Sequence, residues 1–133
     1  MENDKAFQEN LEKLAAFTEA TSIWKPASVK QEPETILSQW RVYKVKGNFD
    51  GEAETTHFVG YTLGRFGEGR VCSPVLEYDP ETRQGITKSG RVYKLHGSSG
   101  FNRDAMYVWN RWLGMAGDPE YVDVTEEYEN GTV

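Results

Sequence analysis

With 133 residues, of which 38% are hydrophobic and 13% aromatic, the chain has enough apolar material for one buried core and too little length for two ordinary domains. No run approaches the roughly 18 apolar residues that cross a bilayer, and the charged start at Glu2, Asp4 and Lys5 is unlike a secretory signal. Cys72 is the only cysteine, which excludes an internal disulfide, and together these features point to a single cytoplasmic domain spanning residues 1–133.

Between Asn3 and Glu19, Phe7, Leu11, Leu14 and Ala15 recur at helical spacing, with Glu9, Glu12, Lys13 and Glu19 off the stripe. Asn3 or Asp4 supplies a cap, so the segment predicts an amphipathic helix. Residues 20–35, with Pro26 and Pro33, follow neither period and read as a connector. The β-branched and aromatic run inside Leu37–Lys46 predicts a strand, Asn48–Glu54 breaks it, and His57–Leu63 predicts a second. A third runs from Arg70 to Tyr78 across Pro74. Proline cannot donate to a ladder, so this strand belongs at an edge or carries a bulge.

Asp79–Thr82 followed by Gly85 predicts a hairpin turn closed by glycine, and Ile86 and Thr87 a short fourth strand. Ser89 and Gly90 then turn the chain into a fifth strand over Arg91–His96. Asn102 is placed to cap a helix whose Ala105, Val108, Trp109, Trp112, Leu113 and Ala116 form one apolar stripe, stopped by Gly114, Gly117 and Asp118–Pro119. Beyond it, Tyr121, Val122 and Val124 alternate with acids as an edge strand would, and residues 125–133 are expected to fray as an acidic tail. The fold expected is α+β: an N-terminal helix, an antiparallel meander of about five strands curved like a barrel, and a C-terminal amphipathic helix packed on the sheet.

A cysteine–histidine nucleophile pair or a histidine metal site has only Cys72, His57 and His96 to draw on, and their spacing fits no metal signature. The simpler reading is a buried, inert Cys72 and two partly exposed strand histidines. Glu52 with Glu54, and Glu77 with Asp79, sit beside glycine or proline as solvated strand ends do. Gly64, Gly67 and Gly69 lie between strands and not ahead of a helix, which is a poor phosphate cradle. No catalytic residue, metal or cofactor is therefore predicted, and the chain is expected not to be an enzyme.

Two charged segments remain. The net charge of −6 hides ten acids and seven bases in residues 1–54, five and eight in 55–111, and six and none in 112–133. In the basic middle, Arg65, Arg70, Arg91 and Lys94, interleaved with Tyr93, suit a sheet that binds single-stranded nucleic acid, although such aromatics serve a core equally well. At the acidic end, Asp118, Glu120, Asp123, Glu126, Glu127 and Glu129 either keep the protein soluble or present carboxylates to a basic protein partner. Tyr121 and Tyr128 are the candidate anchors among them.

The stretches His57-Phe-Val-Gly-Tyr61, Gly69-Arg-Val-Cys-Ser-Pro74, Thr87-Lys-Ser-Gly-Arg-Val-Tyr-Lys-Leu95 and Tyr107-Val-Trp-Asn-Arg-Trp112 resemble small proteins of bacterial plasmids, prophages and integrative elements. The resemblance covers the middle of the chain and brings no established catalytic residues. It implies a mobile-element setting, where small acidic proteins often inhibit host defence, as anti-CRISPR and anti-restriction proteins do, or act as immunity proteins and antitoxins. The expectation is a binding protein that inhibits or neutralises a protein partner, possessing no enzymatic activity and contacting no membrane. A nucleic-acid-binding module on the basic sheet is the rival.

Overall fold

β-branched and aromatic side chains favour extended backbone, and in the computed structural model they build a sheet of seven strands with two helices among the described residues, which are 33–47, 54–64 and 67–133. The strands are β1 (Thr35–Lys46), β2 (Glu54–Thr62), β3 (Gly69–Val71), β4 (Val75–Asp79), β5 (Gln84–Thr87), β6 (Val92–Leu95) and β7 (Tyr121–Asp123). Helix α1 (Arg103–Met115) lies between β6 and β7, and α2 (Thr125–Glu129) follows β7. The helix expected over Asn3–Glu19 and residues 20–32 of the connector fall outside the described residues, while Thr35, expected in the connector, opens β1.

The pairing order is β3-β2-β1-β6-β5-β4, with β7 on β1. Pro74 divides the expected third strand into β3 and β4, which end the order on opposite sides yet are joined by Cys72, Ser73 and Pro74 alone. The sheet therefore curls until both of its ends belong to one stretch of chain. Counting β3 and β4 as one interrupted strand, four reversals separate β1 from β6. An even number of reversals restores direction, so β6 pairs with β1 in parallel, Thr35 beside Tyr93 and Leu37 beside Leu95. Inside the curl lie Leu37, Trp40, Val42, Phe58, Cys72, Tyr93 and Leu95, joined by Val124 and Tyr128 from the C-terminal segment.

β1 serves two partners along one edge. Its first residues pair with β6 and its last with β7, where Tyr43, Lys44 and Val45 meet Asp123, Val122 and Tyr121. Between them the strand bends: Gln39 has φ 49°, and the register against β2 shifts between Ser38 and Arg41. Backbone groups freed by the bend find partners elsewhere, as buried polar groups must. The Trp40 carbonyl accepts the Gly100 N–H at 3.1 Å and the Val42 N–H donates to Thr125 Oγ1 at 2.9 Å, while the Trp40 side chain is held by its Nε1 donating to the Gly97 carbonyl at 3.2 Å.

Helix α1 lies over β3 and β2 on the outer face and reaches the Tyr43 and Val45 side chains of β1. Asn102 Oδ1 accepts the Ala105 N–H at 2.9 Å, the expected cap, and Asn102 Nδ2 donates to Gln39 Oε1 at 3.2 Å, tying the cap to the bend. Ala105, Trp109 and Leu113 pack on Tyr43, Val45 and Val59. Trp109 stacks on Tyr43 with centroids 4.5 Å apart and on Trp112 at 5.2 Å, and the His57 ring meets Trp112 at 4.7 Å. The helix stops in a Schellman arrangement: the Asp118 N–H reaches the Leu113 carbonyl and the Gly117 N–H the Gly114 carbonyl, with Gly117 at φ 88°.

Three local expectations are corrected. His57, expected partly exposed, is 2% exposed because the middle of β2 is covered by the curl on one face and by α1 on the other. In the β4–β5 turn the left-handed position belongs to Arg83 at φ 61°, whose N–H reaches the Asp79 carbonyl at 2.7 Å. Gly85 lies inside β5 instead, where an added Cβ would stand 2.8 Å from the Phe58 ring. Nor does the acidic tail fray from residue 125: the Thr125 N–H donates to Asp123 Oδ1 at 2.9 Å, α2 forms, and Tyr128 packs edge-on against Phe58 and Tyr78.

The Gly85 contact makes a direct prediction. Gly85→Ala overpacks the interior and lowers stability by about 1–3 kcal/mol, read as a lower urea midpoint with an unchanged slope.

Candidate functional site

Just past the bend in β1, Arg41 lies between two C-terminal features. Its Nη2 donates to Asp123 Oδ2 at 2.6 Å, and its guanidinium carbon stands 3.9 Å from the Phe101 ring centroid. Burial works against ionisation of Asp123, but the hydrogen bonds from Thr125 and Arg41 and the Arg41 charge together hold its carboxyl below the ordinary value. Nearby, Glu129 Oε1 accepts the Ser99 N–H at 2.8 Å, and this bonding holds that carboxyl low as well. An open cleft of about 480 Å³ lies among these groups, lined by Arg41, Ser99, Asp123, Thr125, Glu126 and Glu129.

The structure sorts the acidic residues into two kinds. Asp123 and Glu129, although exposed, are tied within the chain, fixing β7 to β1 and α2 to the loop before α1. Asp118, Glu120, Glu126 and Glu127 are exposed, at the stop of α1, ahead of β7 and in the first turn of α2. Tyr121 is 44% exposed, with the rest of its ring edge-on against Tyr43 and Trp109 at 5.3 Å. Tyr128 is not a surface anchor, since only 8% of it is exposed. Its burial was legible: Val124, Thr125 and Tyr128 stand at helical i, i+1, i+4 spacing, which puts them on one face once α2 forms. Arg41, Ser99 and Phe101 were missed because no local pattern links a strand arginine to residues far along the chain.

The basic set converges only in part. Arg70 bonds Glu68 Oε2 at 2.6 Å and also the Tyr93 hydroxyl, while Arg91 Nε stands 3.8 Å from Glu34 Oε1. Arg70 and Tyr93 thus meet, and both Arg70 and Arg91 are paired with carboxylates. The Tyr93 ring is 4% exposed inside the curl, so it offers no face on which a base could stack. Lys94 is half-buried on β6, and Arg65 falls outside the described residues.

Nucleophilic chemistry finds little support in the interior. Cys72 is 1% exposed, its Sγ accepts the Phe58 N–H at 3.1 Å, and burial pushes the thiol up to about 12. His57 Nδ1 meets the Cys72 carbonyl oxygen at 2.9 Å and its Nε2 meets Thr55 Oγ1 at 2.8 Å, so both ring nitrogens are engaged by oxygen atoms. His96 is exposed after β6. Among the described residues, no group of three or more His, Cys, Asp or Glu side chains is arranged to hold a metal ion, and no helix is long and apolar enough to cross a membrane. The chain matches no protein-family model, no curated protein and no solved structure.

Two measurements check this description. Native Cys72 reacts with an aromatic disulfide reagent at least about a hundredfold more slowly than the unfolded chain, because the thiolate is both rare and covered. For Asp123, a depressed carboxyl stabilises the fold fully above the ordinary value of 3.8 and ceases to do so as pH falls through the depressed one. Urea midpoints of wild type and Asp123→Asn therefore differ most at neutral pH and converge on acidification.

Proposed function

We propose that this chain is a protein-binding module that inhibits or neutralises a partner by covering a basic surface with its β7–α2 face, without chemistry of its own. The observation that carries the reading is the fixed display of exposed acids. Asp118, Glu120, Glu126 and Glu127 stand along one segment in which β7 is paired to β1 and α2 is pinned by Tyr128. A charge array held by its own backbone loses little freedom on binding, which favours affinity. Complementary potentials also speed encounter and reject like-charged competitors.

The mobile-element resemblance of the sequence supports the same reading. Proteins that handle nucleic acids present rows of cations to phosphate, and a rigid row of carboxylates is suited to occupy them. Anti-defence inhibitors, immunity proteins and antitoxins all fit that description. The pairing of Arg70 and Arg91 with acids and the burial of Tyr93 leave less support for direct binding of nucleic acid by the sheet.

Affinity purification from the native host, with and without nuclease, separates the two partners. The expected result is a basic protein retained after nuclease treatment. Replacing Glu120, Glu126 and Glu127 together by lysine lowers its affinity about tenfold or more at low salt, and less at high salt where exposed charges are screened. Retention that depends on nucleic acid, or that ignores the triple substitution, overturns the proposal.

A further inference from the structure

β7 has a used edge and an open one. The Lys46 N–H donates to the Glu120 carbonyl and the Val124 N–H to the Val42 carbonyl, both at 2.9 Å. Bonding toward a given neighbour alternates along an antiparallel strand, so Glu120, Val122 and Val124 direct their backbone groups to β1. Tyr121 and Asp123 direct theirs the opposite way, where no described strand lies. Both residues are exposed, and Tyr121 and Val122 show 44% and 46% of their surface. The other strands are enlisted in the curl, whereas β7 stands off that path.

We infer that this edge receives an extended segment of the partner as an additional strand, and that the segment carries Lys or Arg at alternate positions with apolar residues between them. The inference rests on the protein-binding reading above and specifies how such a partner is held. An added strand gains main-chain hydrogen bonds from Tyr121 and Asp123, the mode by which exposed sheet edges capture peptides. Its alternation puts one set of side chains beside Tyr121 on one face and the other beside Val122 on the opposite face. Glu120 precedes the edge and Glu126 and Glu127 follow it, all exposed, so charge complementarity selects a basic strand.

The same charges disfavour a second copy of this chain as the occupant. Residues 112–133 carry six acids and no base, and strand-to-strand pairing of two such edges would bring these segments side by side.

The test uses the intact protein and a synthetic ten-residue peptide alternating lysine and valine. A second peptide has the same sequence with alternate residues N-methylated, which removes the donors on one edge and keeps every charge. The expected result is saturable binding of the first peptide, at least about tenfold slower amide exchange at Tyr121 and Asp123, and at least about tenfold weaker binding of the N-methylated form. Equal binding of both peptides with unchanged exchange at Tyr121 and Asp123 overturns strand addition while leaving a purely electrostatic acidic face intact. Absence of binding by the first peptide also overturns it, and the host purification then judges the broader reading on its own.

Discussion

Everything in this structure follows from asking one strand to be an edge for two others. β1 gives its first residues to β6 and its last to β7, and it bends at Gln39 between these two stretches. Gln39 takes the left-handed conformation that makes the bend, at a cost of roughly 1–2 kcal/mol for a residue with a Cβ. Hydrogen bonds of about 0.5–1.5 kcal/mol each offset it. They come from Gly97 and Gly100 before α1, from Asn102 at its cap and from Thr125 at the start of α2. The bend therefore dictates where the C-terminal segments must lie, and it sets Arg41 against Asp123.

A second consequence concerns chemistry. With the curl on one side and α1 on the other, the middle of β2 has no solvent face. The stack of Tyr43, Trp109 and Trp112 closes over His57, and the interior closes over Cys72. Two side chain types that in other proteins make a nucleophile and its base are here packed in the interior. Burial raises the thiol, and both ring nitrogens of the imidazole meet oxygen atoms. Among the described residues, the exposed acids of the last elements, six in residues 112–133 with no base, form a run of one charge sign.

Legibility in the sequence divides by range. The cap at Asn102, the apolar stripe of α1, the break at Pro74 and the alternation that becomes β7 are local signals, and each marks its element in the structure. The parallel closure of β1 and β6 depends on the number of reversals along the whole chain and leaves no mark in any short window. Arg83 and Gly85 show the same limit within one turn. Glycine is the usual left-handed residue, but here the space demanded by the Phe58 ring claims Gly85 for the strand, and Arg83 takes the turn. At the candidate site the acids were visible as a run, while the division between structural ties and exposed charges was not. That division depends on Arg41 and Ser99, which the fold brings to them from afar.

An open sheet edge is a hazard, since it invites pairing with any other strand, and short length and charge are the usual protections. β7 has both: three residues, with acids on either side. These protections do not act equally on all comers. Brevity weakens every added strand alike, whereas negative charge repels acidic strands, including those of another copy, and attracts basic ones. Asp123 sharpens the distinction, because its carboxylate is already engaged by Arg41 and Thr125 and holds β7 in place without cancelling the exposed charges of its neighbours. A segment fixed in this way can afford a bare edge. In the proposed strand addition, the carboxylates that disfavour pairing with a second copy are also what selects a basic foreign strand.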